Sequence, residues 1–553
     1  MTHPPLVPRP AATLILAREA LQGMEVFLLR RSQNAVFGGG AYVFPGGAID
    51  ASDHDETWAT HCAGIVDAAA SRVLKLERGG LAYWVAAIRE CFEEAGLLLA
   101  YDGTGDMVAL DDPDTTREFS VLRAQLIAGT LTFAALCRDR GLRLALDHLA
   151  YFSHWITQQG RPRRFDTRFF VAVAPGAQTA SHDRAETVEG IWLRPGEALE
   201  RYRLGNLNLM FPTMKTLEAL ARFADTAAVM DHARTPRALP PMTPRTATGR
   251  DGVRLLVPGD FAYAEIGKVD PQGKGHASYE ILPGVVTRIS DQVRRITAPN
   301  PGFMTGPGTN TYLLGAGKEV AVIDPGPAND AHVQIVLEEA GGRISAILVT
   351  HTHPDHSPAA ALLKTKTGAQ LLGMPPPPQQ NQDQSFRPDR VLAQGERIEV
   401  AGCALRVIHT PGHASNHLCY LLENEKLLFT GDHMMQGSTV VIGPPDGDMI
   451  AYLASLRMLQ REDLAHLAPG HGFLMEKPQE MIERLLAHRM DRENKVYAAL
   501  RSRQLATVEE LLPTVYDDVP ARMHPVASRS LLAHLIKLAA DGRVTRAGER
   551  WRA

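Results

Sequence analysis

Four side chains able to bind a metal ion fall within six residues in the run HTHPDH at positions 351–356. The apolar run 346–349 (AILV) comes just before it and reads as a buried strand. Side chains alternate along a strand, so His351 and His353 leave the sheet on one side. Asp355 and His356 follow a proline, where the chain must turn, and can aim at a second point a few ångströms off. An imidazole pair beside a carboxylate–imidazole pair suits two adjacent divalent ions. Neutral imidazole and carboxylate are good zinc ligands, and no cysteine is needed. A second cluster lies far upstream: Glu90, Glu93 and Glu94 stand at i, i+3 and i+4 in a segment of helical period. Three carboxylates on one helix face repel each other, and only Arg89 is close by to offset them. Hard oxygen ligands so placed ask for magnesium or manganese.

These groups need elements to hold them. Three further turns follow the HTHPDH run, TPGH ending at His413, TGD ending at Asp432 and PGH ending at His471, and each succeeds an apolar stretch. Strand-end loops are where a rigid scaffold presents ligands, and the glycine before each candidate ligand permits a tight turn. The run VAVID at 320–324 reads as a strand ending in an acid behind the site. Helical spacing is expected over 328–340 and 452–459. Upstream, residues 11–16 and 24–30 read as a strand pair, and Val85, Ile88 and Phe92 lie on one side of the glutamate helix.

The set HxHxDH with a later His, Asp and His resembles the metallo-β-lactamase superfamily over about residues 280–553. The resemblance implies an αββα sandwich and two zinc ions per chain. His351, His353 and His413 would hold one ion, Asp355, His356 and His471 the other, and Asp432 would bridge them. Asp355 is also expected to take part in catalysis. A water between two zinc ions ionises near neutral pH, and the ions polarise the scissile group. The stretch 300–312 (NPGFMTGPGTNTY) is similar to that of the glyoxalase II-like branch and, more closely, of the β-lactamase-like endoribonucleases. Those proteins carry a small C-terminal winged helix.

In the first region, FPGG at 44–47 followed by RECFEEAG at 89–96 resembles the Nudix hydrolase signature. This implies an α/β/α sandwich that cleaves phosphoanhydrides, with Glu90, Glu93 and Glu94 on the metal and Arg89 holding a glutamate in place. Arg89 and Glu90 are the expected catalytic pair. The gap between Gly47 and Arg89 is longer than in that family, and the signature's intervening glutamate has no clear equivalent. The insert 51–80, together with RRFDTRFF at 163–170, looks like a coenzyme A diphosphatase branch. A fold that binds without cleaving is the alternative.

At 553 residues the chain is too long for one core. The expected order is a Nudix-like domain over 1–265, a linker at 266–278, a metallo-β-lactamase fold over 279–480 and a winged helix over 481–553. No internal repeat is visible, so the two halves read as a fusion. A net charge of −4 exerts no overall pull on nucleic acid or membrane. The odd number of unpaired cysteines, five, suits a reducing compartment. No apolar run approaches 18 residues, so cytoplasm is expected and no membrane partner. The tail is basic, 13 Lys and Arg against 8 Asp and Glu over 484–553, and fits either nucleic-acid contact or a packing and homodimer element. Two functions therefore stay open, and the closer resemblance to the endoribonucleases favours the first. In one, the zinc site cuts single-stranded RNA beside a magnesium-dependent site for a nucleotide or coenzyme A derivative. In the other, it hydrolyses an acyl-CoA thioester coupled to coenzyme A cleavage.

Overall fold

The computed structural model describes residues 6–34, 38–183, 186–378 and 381–553. The chain divides into two compact units between Pro244 and Arg245.

In the first unit, β1 (Arg9–Ala20) and β2 (Gly23–Arg31) form the expected antiparallel pair. The short β3 (Gly46–Ala48) and β4 (Phe165–Val173) flank β1, the latter in parallel register with Ala11 opposite Thr167. Helix α1 (Leu81–Ala95) carries the glutamates and buries Trp84, Val85, Ile88 and Phe92 in the core of the unit. The insert is ordered. A short 3₁₀ turn, Ala51–His54, starts it, and the helix Asp67–Leu74 packs Ala70 and Leu74 into the same core.

The second unit is built on two sheets. The first has the order Val286–Arg288, β5 (Val293–Thr297), β6 (Asn310–Leu314), β7 (Val320–Ile323), β8 (Ile344–Leu348), β9 (Gln370–Gly373), Arg390–Val391. The second runs β10 (Arg397–Val400), β11 (Cys403–His409), β12 (Leu418–Leu422), β13 (Leu427–Gly431), β14 (His466–Pro469), β15 (Met475–Glu476). The period of two sorts their side chains. Tyr312, Leu314, Ala346 and Leu348 meet Val407, Tyr420 and Phe429 between the sheets. On the first sheet's outer face, Leu313, Val322 and Ile347 pack on α3 (Asp330–Ala340) and α4 (Ala359–Thr367). On the second sheet's outer face, Ile408, Leu428 and Leu467 pack on α5 (Met449–Leu459) and the start of α6 (Pro478–Arg503). Three apolar layers between four of structure make an αββα sandwich.

The C-terminal part of this unit packs α6, α7 (Val508–Val515) and α8 (His524–Ala540) around Val496, Leu511, Leu531, Leu535 and Trp551. A small sheet of β16 (Leu505–Ala506), β17 (Thr545–Ala547) and β18 (Arg550–Arg552) closes it, which is a winged helix.

One boundary differs from the sequence reading, which placed it near residue 265 with a flexible link after it. Residues 245–269 belong with the second unit. They form a hairpin (Arg245–Gly249 with Gly252–Leu256) and a helix, α2 (Tyr263–Val269), whose Glu265 makes a buried double ion pair with Arg295 at 2.5 and 2.9 Å. The glycine-rich stretch after it lacks an apolar period because a side chain orders it. The buried Asp270 carboxylate accepts from the backbone N–H groups of Lys274 and Gly275. Among the described residues no helix is long and apolar enough to cross a membrane, and all five cysteines are free.

Candidate metal centres

The seven candidate ligands of the second unit converge at the ends of both sheets. His351, His353, Asp355 and His356 occupy the loop after β8; His413 follows β11, Asp432 follows β13 and His471 follows β14. They fall into two sets, His351/His353/His413 and Asp355/His356/Asp432/His471, each with its ligand atoms within 4.8 Å of one another. In the first, Nδ1 of His353 lies 2.9 Å from His351 Nε2 and 3.0 Å from His413 Nε2. In the second, Asp432 Oδ1 is 3.4 Å from Nε2 of both His356 and His471, and Asp355 Oδ2 is 3.4 and 3.3 Å from the same atoms. Asp432 Oδ2 reaches toward the first set, 3.9 Å from His413 Nε2. One carboxylate thus faces both sets.

Four of the five histidines have an oxygen to hold the outer nitrogen, and the fifth, His353, meets the Asn381 amide through Nε2 at 3.3 Å. His356 Nδ1 donates to Asp324 at 2.9 Å, His413 Nδ1 to the Val441 carbonyl at 2.8 Å and His471 Nδ1 to the Gly308 carbonyl at 3.1 Å. The Thr350 hydroxyl donates to Asp324 and so accepts from His351 Nδ1 at 3.0 Å. These bonds fix the tautomer and leave Nε2 of His351, His356, His413 and His471, and Nδ1 of His353, aimed inward. The fit to a cation follows from what is left over. His356 Nε2, His471 Nε2 and Asp432 Oδ1 are buried and have no hydrogen-bond partner, a costly state that an ion would relieve. Burial, with His413 adjacent, holds His353 neutral down to about 3. Burial also pulls His471 down, but Asp432 and Asp355 outweigh it and lift it to about 9. Without a cation, a proton must offset the carboxylates there.

Local sequence explains the placement. Asn310 of β6, fully buried, donates to the carbonyls of Pro469 and Gly472 at 3.0 and 2.8 Å, and the Tyr312 hydroxyl donates to Pro469 at 2.8 Å. The stretch 300–312 therefore braces the turn that presents His471. Gly470 is needed for room more than for a turn, since a Cβ there would sit 2.6 Å from Asp432 Oδ1.

In the first unit, Gly47 lies so close to Glu90 that a Cβ would come within 2.5 Å of its carboxylate. Arg89, nearly buried, donates through Nη1 to Glu90 at 2.9 Å and Glu93 at 3.3 Å, whereas Glu94 turns to the Gly46 N–H at 2.9 Å. The three glutamates do not form one set of ligand atoms within 4.8 Å, as the two histidine-rich sets do. Burial raises all three; Glu90, with Arg89 pulling the other way and Glu93 adding to the rise, reaches about 7. The acid missing from the sequence reading is Asp53, 2% exposed, which Arg89 grips with Nε and Nη2 at 2.8 and 2.9 Å. The signal was present: Asp53 stands six residues after Gly47, in the first turn of the insert, with aspartate in place of glutamate.

Three protein-family models match: "Metallo-beta-lactamase superfamily" over residues 304–471, "Beta-lactamase associated winged helix domain" over 507–551 and "NUDT19 Nudix domain" over 75–220. An atrochrysone carboxyl ACP thioesterase of Aspergillus chevalieri is 35% identical over 47% of this chain and 84% of its own length. A beta-lactamase-like protein 2 homolog of Drosophila melanogaster is 32% identical over 48% of this chain and 93% of its own. The solved NUDIX hydrolase of Alicyclobacillus acidocaldarius is 30% identical over 41% of this chain and 96% of its own, with a TM-score of 0.34. Identity at this level along most of a relative's length shows that the chain belongs to the metallo-beta-lactamase superfamily, a hydrolase fold preceded here by a Nudix domain and followed by a winged helix.

Proposed function

We propose that the second unit is a dinuclear zinc hydrolase of acyl thioesters, and that the first is a magnesium- or manganese-dependent phosphoanhydride hydrolase for a nucleotide-linked carrier of the coenzyme A type. The observation that carries the thioester reading is the loop 300–308. It exposes Phe303 (69%) and Met304 (47%) and ends at Gly308, whose carbonyl holds His471. Apolar surface beside a ligand turn suits an acyl chain and offers a polyanion nothing.

When bound, two zinc ions supply Lewis acidity and a water acidic near neutral pH. His351, His353 and His413 would hold one position, Asp355, His356 and His471 the other, and Asp432 would serve both. Asp355, with 27% of its side chain exposed against 0–12% for its three neighbours, orients the attacking water. The water oxygen bonds to the carbonyl carbon, the C–S bond breaks and the thiol leaves with a proton. Single-stranded RNA would need the same chemistry, but three of the wing's arginines are engaged internally. Arg543 lies 4.1 Å over the Tyr497 ring, Arg550 pairs with Glu510 at 3.0 Å and Arg546 covers Trp551.

The test is turnover by the zinc-loaded full chain on acyl-CoA thioesters of increasing length and on short single-stranded RNA. The expectation is thioester turnover whose kcat/KM rises with acyl length. Phe303→Ser with Met304→Ser should lower it about tenfold or more for long chains and little for acetyl, in line with roughly 1.5–3 kcal/mol per buried apolar side chain. RNA cleavage without thioester turnover would overturn the reading.

A further inference from the structure

His413 is the one member of the three-histidine set that comes from the second sheet, and its outer nitrogen is held by a backbone carbonyl, that of Val441. Val441 lies in a stretch, 440–448, with no helix or strand of its own. The side chains of Val440 and Ile442 are buried in the core with α5, and the peptide groups on either side of the Val441 carbonyl are gripped by the C-terminal helices. The preceding carbonyl, Val440, accepts from the Arg489 guanidinium of α6, and the following N–H, Ile442, donates to Ser530 Oγ of α8 at 3.2 Å. Arg489 and Ser530 are buried at 2% and 6% exposure, so neither bond is open to solvent.

The same stretch reaches the other ligand loops. Asp446, also buried, accepts from the Ser415 N–H at 3.2 Å, two residues past His413, and from Gln382 Nε2 at 2.9 Å. Gln382 accepts in turn from the hydroxyl of Thr352, between His351 and His353, at 2.6 Å. The Asp448 N–H donates to the Gly412 carbonyl at 2.8 Å. Among the described residues no comparable bond from α6 or α8 leads to His356 or His471, whose outer nitrogens rest on Asp324 and Gly308.

From this geometry we infer that Arg489 and Ser530 are positioning residues for the metal centre: the C-terminal helices set the orientation of His413 through the 440–442 backbone and so govern metal affinity at the three-histidine position. The winged helix then serves the hydrolytic site from behind, whatever else its outer surface does. This rests on the dinuclear reading above.

The experiment is a zinc competition titration of the full chain against a chromophoric chelator. Wild type is expected to give two separable affinities. Ser530→Ala and Arg489→Met should each weaken one of them by roughly 10- to 100-fold, the usual range for a lost partner behind a ligand, and leave the other within about threefold. Ser530→Thr, which keeps the hydroxyl, should restore the lost affinity. Cobalt-loaded Ser530→Ala should show an altered visible spectrum at one site only. Asp518→Asn is the control: it loosens the Arg492–Asp518 pair in the same helical region without touching 440–448, and should lower Tm with both affinities intact. Should Arg489→Met fail to fold, Ser530→Ala carries the test, since it removes a single oxygen. Wild-type affinity at both positions in Ser530→Ala overturns the inference, as does parallel weakening of both sites in Asp518→Asn. A wild-type chain that takes up no zinc would overturn the dinuclear reading itself, and this inference with it.

Discussion

Asp324 has a positive φ of 50° at the end of β7, a conformation that only a few residue types adopt readily, and it accepts from Thr350 N–H, the Thr350 hydroxyl and His356. Asn tolerates the same backbone, so Asp324→Asn removes the charge without disturbing the turn. Zinc affinity at the Asp355/His356/Asp432/His471 position should fall roughly 10- to 100-fold, as read by chelator competition, with the three-histidine position less affected. In the first unit the sign of the pH response follows from Glu90. Burial lifts it from 4.5 to about 7 in the fold, so between those values the unfolded chain gives up its proton first. Stability of the metal-free unit is therefore present at acid pH and lost as pH rises through this window. Calorimetry should find a lower Tm at pH 8 than at pH 5.5, and magnesium should raise Tm more at pH 8. The type and spacing of the ligands were legible in the sequence because side-chain chemistry is local. Asp53 was not recognised, because about 35 residues intervene before its partner Arg89 and the acid is one methylene shorter than the signature's glutamate.

Elements were legible where period and punctuation agreed. Thr507, a threonine directly before an apolar helical run, caps α7 in a full capping box, Thr507 Oγ1 accepting from the Glu510 N–H at 3.3 Å and Glu510 accepting from the Thr507 N–H at 2.9 Å. Thr507→Ala should cost about 1 kcal/mol of winged-helix stability, measured by denaturant unfolding. The segment 245–269 was misassigned for a physical reason. Its hairpin is largely exposed, and what ties it to the second unit is a small apolar cluster (Ala247, Ala262 and Ile266 with Ala277 and Phe473) and the Glu265–Arg295 ion pair, too few apolar positions to give a hydrophobic period. Glu265→Ala would strand a guanidinium that is 2% exposed, and should destabilise the second unit by about 3–5 kcal/mol. Replacing both Glu265 and Arg295 with apolar residues should recover much of that loss.

At the scale of the whole chain, two units with separate cores carry two separate chemistries. Glu93→Gln with Glu94→Gln should abolish magnesium-dependent phosphoanhydride cleavage and leave zinc-dependent hydrolysis unchanged, since distant sites with no shared partner act independently. Equal loss of both activities, assayed on one preparation, would argue against two sites.

The seven candidate metal ligands have a mechanical consequence as well. Four of them hang from the first sheet and three from the second, and His353 meets His413 across 60 residues of chain. A pair of ions held there works as a removable rivet between the two halves of the sandwich, stabilising the native state by mass action. Chelation should therefore open the sandwich at one end before it unfolds. In hydrogen exchange, the amides of 349–357 and 410–417 should lose protection first, while the strands behind them, far from the rivet, stay closed.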